Sequence, residues 1–254
     1  MPLIYDTAPV VVPPRETVLV KYLDLTKFLS LLYKRSLFFC RLDKLEDQFE
    51  GTTAKRNYEW RIDSWKSFRQ MGLSKVPLTD DEIVIKVEEQ YEFEKKLKAI
   101  SCVNCWNKKE TESAALWKIY SDFGKGILIK SSVLNIENAL QVTPEEIRIS
   151  AIKYIDYENE LMSDGNSTFP LIHKNDAYSY ENEVRLIYQI IPEIGWDYDW
   201  TKEENQNGKY IKVDLNLLID EIIIGPFSPS WLYEMIADLI RKYNIDKPIK
   251  KSKL

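Results

Sequence analysis

The chain has one histidine, three cysteines and eight glycines in 254 residues. A single His173 leaves no His-x-x-x-His metal motif. A serine triad would have to use it, and no Gly-x-Ser-x-Gly elbow accompanies it. Three cysteines, an odd number, make no disulfide framework and fit a reducing compartment. Glycine forms no Gly-x-Gly-x-x-Gly and no Walker loop. Gly124-Lys125-Gly126 is too short to cradle a phosphate and reads as a turn. Zinc would need Cys40, Cys102, Cys105 and His173 together. Cys102 and Cys105 fall inside an expected strand, where residues three apart point to opposite faces, so no metal site is expected.

Long hydrophobic runs are missing too. Residues 10–12 and 222–224 are among the longest, far short of a membrane span. Met1 to Asp6 places no basic residues ahead of an apolar run, unlike a signal peptide. The expected location is therefore the cytoplasm, with no membrane partner. Basic excess is absent as well. Lys and Arg total 35 against 40 Asp and Glu, a net charge of −5. No duplex nucleic-acid partner is expected from that balance. Lysines 247, 250, 251 and 253 make residues 245–254 a basic tail, expected to be frayed and solvated.

What is present is a globular composition, 44% hydrophobic and 30% charged, with 15 Tyr, 9 Phe and 7 Trp. The length supports a core without cross-links. We expect one α+β domain over 1–254, with a proline-rich extended lead-in at 1–16. Strands are expected at 17–23, 36–42, 99–106, 126–130, 147–157, 184–191, 209–214 and 221–224. Helices are expected at 25–35, 52–70, 79–98, 113–121 and 229–243. Pro77 breaks the chain, and Thr79-x-x-Glu82 is a capping box. Helices gather in the N-terminal half, which favours a mixed or antiparallel sheet over a doubly wound one.

The strongest functional lead is Glu181-x-Glu183-x-Arg185. Period two puts these three charges on one face. Asn182, Val184, Leu186 and Tyr188 fall on the other, which is expected to meet the core. Two carboxylates that close raise each other's proton affinity, while the arginine lowers it. Such a pair can orient a sugar hydroxyl and activate an acceptor. A solvated strand face with a local ion pair is the plainer alternative. Asp47 and Glu50 belong to an acidic turn, Glu46-Asp47-Gln48-Phe49-Glu50. Trp106, Trp117 and Tyr120 could stack on a base or pack in the core.

The order of these segments resembles a bacterial family known only as domain of unknown function 2971. The likeness runs from about Val20 to Phe227. It rests on Lys21-Tyr22, the acidic turn with Phe49-Glu50, Cys105-Trp106-Asn107, Leu116-Trp117-Lys118-Ile119-Tyr120, Glu181-x-Glu183-x-Arg185 and Ile223-Ile224-Gly225. A looser likeness is to ADP-ribosyltransferases, which carry Glu-x-Glu at the start of a strand. It implies NAD as substrate with no prosthetic group. Glu183 would hold the ribose, Glu181 would assist the acceptor and Arg185 would fix the carboxylates or a phosphate. Loop 164–180 would face the acceptor. Trp117 or Tyr120 would stack on the ring, and Lys21 or Arg41 would replace the first-strand Arg or His. Two readings stand: an NAD-using transferase or glycohydrolase acting as a toxin or antiviral effector, or a non-catalytic module whose aromatic, acidic groove takes a small molecule or a protein.

Overall fold

The computed structural model describes residues 3–4, 10–47, 49–72, 78–122, 124–190 and 207–254. Pro2, Pro9, Gln48, Pro77 and Ile191 lie outside these. Strands are β1 (Leu3–Ile4), β2 (Val18–Asp24), β3 (Ser36–Arg41), β4 (Ser101–Lys108), β5 (Gly126–Ser132) and β6 (Ile147–Ala151). They continue with β7 (Lys153–Ile155), β8 (His173–Asn175), β9 (Glu183–Gln189), β10 (Gly208–Lys212), β11 (Glu221–Ile224) and β12 (Ile249–Lys251). Helices are α1 (Leu25–Lys34), α2 (Lys55–Gln70), α3 (Asp80–Ala99), α4 (Ala114–Tyr120), α5 (Val133–Ala139), α6 (Leu215–Leu218) and α7 (Ser230–Lys242). The class is α+β, as expected: a largely antiparallel sheet, with the two longest helices in the N-terminal half.

Local chemistry explains the helix ends. Asp24 opens α1 by accepting from the Lys27 N–H at 2.7 Å, and Arg35 closes it in the left-handed region at φ 47°. The capping box at α3 forms as read: Thr79 accepts from the Glu82 N–H, and the Glu82 carboxylate takes the Thr79 N–H at 2.7 Å.

Ten strands form one sheet in the order β1-β6-β9-β4-β2-β5-β11-β12, with β3 and β10 branching from β4. The branch is a fork. One edge of β4 pairs with β9 from Ser101 opposite Gln189 to Asn107 opposite Glu183. The other edge is shared: β2 pairs with Asn107 and Lys108, while β3 pairs with Cys102 and Val103. Residues 104–106 lie between the two branches. Side chains reach into the gap: Lys21 Nζ donates to the Cys105 carbonyl at 2.6 Å, and Asn104 Nδ2 to the Phe38 carbonyl at 2.8 Å.

Alternation sorts the faces. Leu19 and Leu23 of β2, Trp106 of β4, and Val184 and Leu186 of β9 join the main core, which includes Phe28, Leu32, Ile136, Ile236 and Ile240 from α1, α5 and α7. The opposite face holds two smaller apolar clusters. Val20, Tyr22 and Leu128 meet Leu116 and Trp117 of α4. Val103 and Ile187 meet Leu42, Leu171 and Ile172. Glu183 and Arg185 project on the same side of β9 as Ile187.

One expectation needs correction. The tail is not frayed: β12 pairs in parallel with β11, Ile222 opposite Ile249, and the Ser252 N–H donates to the Ile224 carbonyl at 2.8 Å. Backbone pairing to a buried strand outweighs the solvation of its lysines. The lead-in is also tied down in part. Leu3–Ile4 pair with β6, and the Val11 N–H donates to Ser150 Oγ at 3.0 Å. No helix among the described residues is long and apolar enough to cross a membrane.

Candidate active site

Glu181 does not lie on the strand. A 3-10 turn spans Asp176–Glu181, Asn182 sits in the left-handed region at φ 46°, and β9 begins at Glu183. Asn182 therefore faces no core; it is exposed, and its amide donates to the Lys108 carbonyl at 2.9 Å. Nor is the charged face solvated, since Glu181, Glu183 and Arg185 are 3%, 2% and 0% exposed. Asparagine tolerates the left-handed bend because its short amide bonds locally.

Five charges meet in this buried region. Lys174 Nζ, from β8, lies 2.8 Å from Glu50 Oε1, 2.7 Å from Glu181 Oε2 and 3.3 Å from Glu183 Oε2. Arg185 Nε donates to Glu183 Oε1 at 2.6 Å, Nη2 to Glu50 Oε2 at 3.0 Å, and Nη1 to the Leu171 carbonyl at 2.9 Å. Tyr120 donates its hydroxyl to Glu181 Oε1. The Tyr178 ring covers Lys174, with Nζ 4.7 Å from the ring centroid. Tyr154 Oη accepts from the Glu183 N–H at 2.8 Å, and Asn107 Nδ2 donates to the Glu181 carbonyl at 2.9 Å.

The two carboxyls are driven apart. Burial works to raise Glu183, but Arg185 and then Lys174 overcome it and hold the carboxyl down at about 2. Burial also raises Glu181, and Lys174 and Tyr120 only partly offset it, so Glu181 stays above the usual carboxylate range. Arginine touches Glu183 and not Glu181, which is the source of the split. Burial tends to neutralise Lys174, but Glu183, Glu50 and Glu181 raise it and keep it protonated. Burial pushes the Cys105 thiol up, with the Glu183 charge adding to it.

The other sequence candidates scatter. Glu50 joins the cluster, but Asp47 stays in its turn, accepting from the Phe49 N–H at 2.9 Å. Tyr120 joins through its hydroxyl. Trp117, three residues earlier, packs edge-on to Tyr22 at 4.9 Å and donates Nε1 to Glu112 at 2.9 Å. It lines a pocket of about 100 Å³ with Ser121, Gly126, Pro226 and Phe227, away from the carboxylates. Lys21 stands at the fork; burial lowers its proton affinity, and Glu183 and Lys27 both act on it electrostatically. Arg41 is held by Asp43 at 2.7 Å. Cys102 packs in the main core, while Cys105 lies on the other face.

Sequence reasoning missed Lys174. Its strand has three residues and, among the described residues, pairs with the three of β7, too short for any period to mark it. The one available signal was a lysine within the loop expected to face the acceptor.

No family profile matches the chain, and neither does any curated protein. Solved structures similar to it are of Thermus sp. 2.9 DarT. The complex with NAD+ is 11% identical over 94% of this chain and 97% of that chain, with a TM-score of 0.40. The carba-NAD+ complex is 8% identical over 95% and 97%, at 0.38. The complex with ADP-ribosylated ssDNA is 10% identical over 96% and 97%, at 0.40. Likenesses this low equate no residues, so the site rests on its own geometry.

Proposed function

We propose that this chain breaks the nicotinamide glycosidic bond of NAD, as an ADP-ribosyltransferase or an NAD glycohydrolase. The observation that carries the reading is the split between Glu181 and Glu183, two buried carboxylates on one ammonium, only one of which is held by an arginine. Pairs of acids pushed apart in this way mark acid and base roles. Glu183, kept ionised, faces the cationic sugar that forms as the C–N bond breaks and its electron pair leaves with nicotinamide. Glu181, with raised proton affinity, takes the proton of the acceptor hydroxyl or water as its oxygen bonds to the sugar carbon. Arg185 fixes Glu183 and Glu50. Lys21, whose Nζ donates to the Cys105 carbonyl at the fork of the sheet, is the residue offered to the pyrophosphate. Loop 164–180, which carries Lys174 and Tyr178, faces the acceptor. A cytoplasmic bacterial toxin or antiviral effector of the family of unknown function 2971 is the setting that fits this chemistry.

The test is incubation of the purified protein with NAD, following nicotinamide release, beside Glu183→Gln and Glu181→Gln. Release by the parent, lost in Glu183→Gln, is the expected result. No release with any acceptor pool, together with no NAD-induced rise in melting temperature, sinks the reading. Unchanged release in Glu183→Gln keeps an enzyme and removes this site from it.

One observation favours a second reading. All six carboxylate oxygens of Glu50, Glu181 and Glu183 already have partners within the protein. A saturated network suits a structural keystone under a non-catalytic surface, where exposed Tyr120 and Tyr180 would meet a protein or small-molecule partner. In that case Glu183→Gln lowers stability and changes no turnover.

A further inference from the structure

The two cations of the cluster are held very differently. Arg185 lies on β9, a strand paired on both edges within the ten-stranded sheet. Lys174 comes from a three-residue strand in a separate two-stranded sheet. Its ammonium has carboxylates of Glu50, Glu181 and Glu183 within 3.3 Å and the Tyr178 ring against it at 4.7 Å. Acidic oxygens on several sides and an aromatic face on another are the elements of an organic-cation cage. The cluster holds three carboxylates and two cations, so without Lys174 only Arg185 would oppose three negative charges. A cation is required there, and this one comes from a strand outside the ten-stranded sheet. Tyr178, which covers the ammonium, is half-buried, and Tyr180, 6.5 Å from it between ring centroids, is exposed.

We propose that Lys174 is an internal stand-in for a cationic ligand: its ammonium fills an organic-cation site formed by Glu50, Glu181, Glu183 and Tyr178, and holds that site closed until the His173–Asn175 strand withdraws. This rests on the NAD reading for its natural occupant, a ligand with a positively charged ring. The cage itself is independent of that reading. Lys174 is then a gate, and the site opens as its strand withdraws.

The test separates cage from chemistry. Lys174→Ala removes the tethered propylammonium, and n-propylammonium chloride and the N-methylnicotinamide cation are the probes, with 1-propanol as the neutral control. Binding is read by calorimetry and by melting temperature. The expected result is saturable binding of both cations to Lys174→Ala, at least ~10-fold tighter than to the parent, with no effect of 1-propanol. Adding Tyr178→Ala should weaken it severalfold. Equal cation binding by parent and variant, or none by either, overturns the proposal. Should Lys174→Ala not fold, recovery on refolding in n-propylammonium but not in 1-propanol supports the cage, and recovery in neither overturns it. Nicotinamide release is measured on the same samples. Cation binding without release removes the NAD reading and leaves the cage; release without cation binding does the reverse.

Discussion

Replacing Glu183 by Gln keeps the side chain's shape and removes its charge, so it mimics the protonated acid. The parent carboxyl sits at about 2 in the folded protein against an ordinary 4.5. A carboxyl lowered on folding contributes stability above its unfolded value, and that contribution is lost as pH falls through the folded one. The gap is worth about 3 kcal/mol at neutral pH. For a chain of this size that corresponds to a fall of roughly 5–10 °C in melting temperature. Urea unfolding of parent and variant at pH 7 and near pH 2.5 is the assay. The difference should be largest at pH 7, start to shrink below about pH 4.5 and approach zero near pH 2. A difference that is the same at both pH values would refute the reasoning, because an ion-pair effect must titrate away. A loss below ~1 kcal/mol at pH 7 would show that Arg185 and Lys174 do not hold the carboxyl as described. Turnover comparisons must be made well below the variant's melting temperature.

Asn182→Ala should cost about 1–2 kcal/mol by chemical denaturation, since alanine resists the left-handed backbone, while Asn182→Gly should be the milder change. Asn57 holds the Met162 carbonyl at 2.8 Å and its N–H at 2.9 Å, so Asn57→Ala strands two backbone groups. The expected loss is about 2–4 kcal/mol, with faster amide exchange across residues 158–164. Thr79→Ala should cost ~1 kcal/mol through the lost cap, seen in thermal melts and confined to α3 in exchange.

Most of the framework could be read from periodicity. β2, α1, β3, β4, β9 and α7 fall close to their expected bounds because each buries a regular apolar face. The elements that escaped are those whose stability is tertiary. β8 and β12 have three residues each and owe their existence to a neighbour. α2 forms close to its expected bounds, but not through an apolar face: it buries only Asn57 and Arg61. Arg61 reaches Asp164 at 2.6 Å and Glu94 at 2.6 Å, so this helix docks through polar clamps that no hydrophobic pattern can reveal. The fork has the same character: β2 and β3 both look like ordinary strands, and only the registers show that they divide one edge of β4 between them.

The convergence of Glu181 and Glu183 has a different cause from the one period two suggests. On a continuous strand, side chains two residues apart stand roughly 6.5 Å apart along the chain, and Glu181 would continue the line of β9. The left-handed Asn182 brings the turn back instead. The end of β4 holds that bend: the Lys108 N–H donates to the Asn182 carbonyl at 2.8 Å, and Asn107 Nδ2 to the Glu181 carbonyl at 2.9 Å. The ladder stops at Asn107 opposite Glu183, so Glu181 is free to turn towards Lys174 and Tyr120. The residue between the two acids is therefore part of the device. A side chain that favoured extended backbone at 182 would straighten the bend, carry Glu181 away from the ammonium and undo the asymmetry on which the proposed chemistry depends.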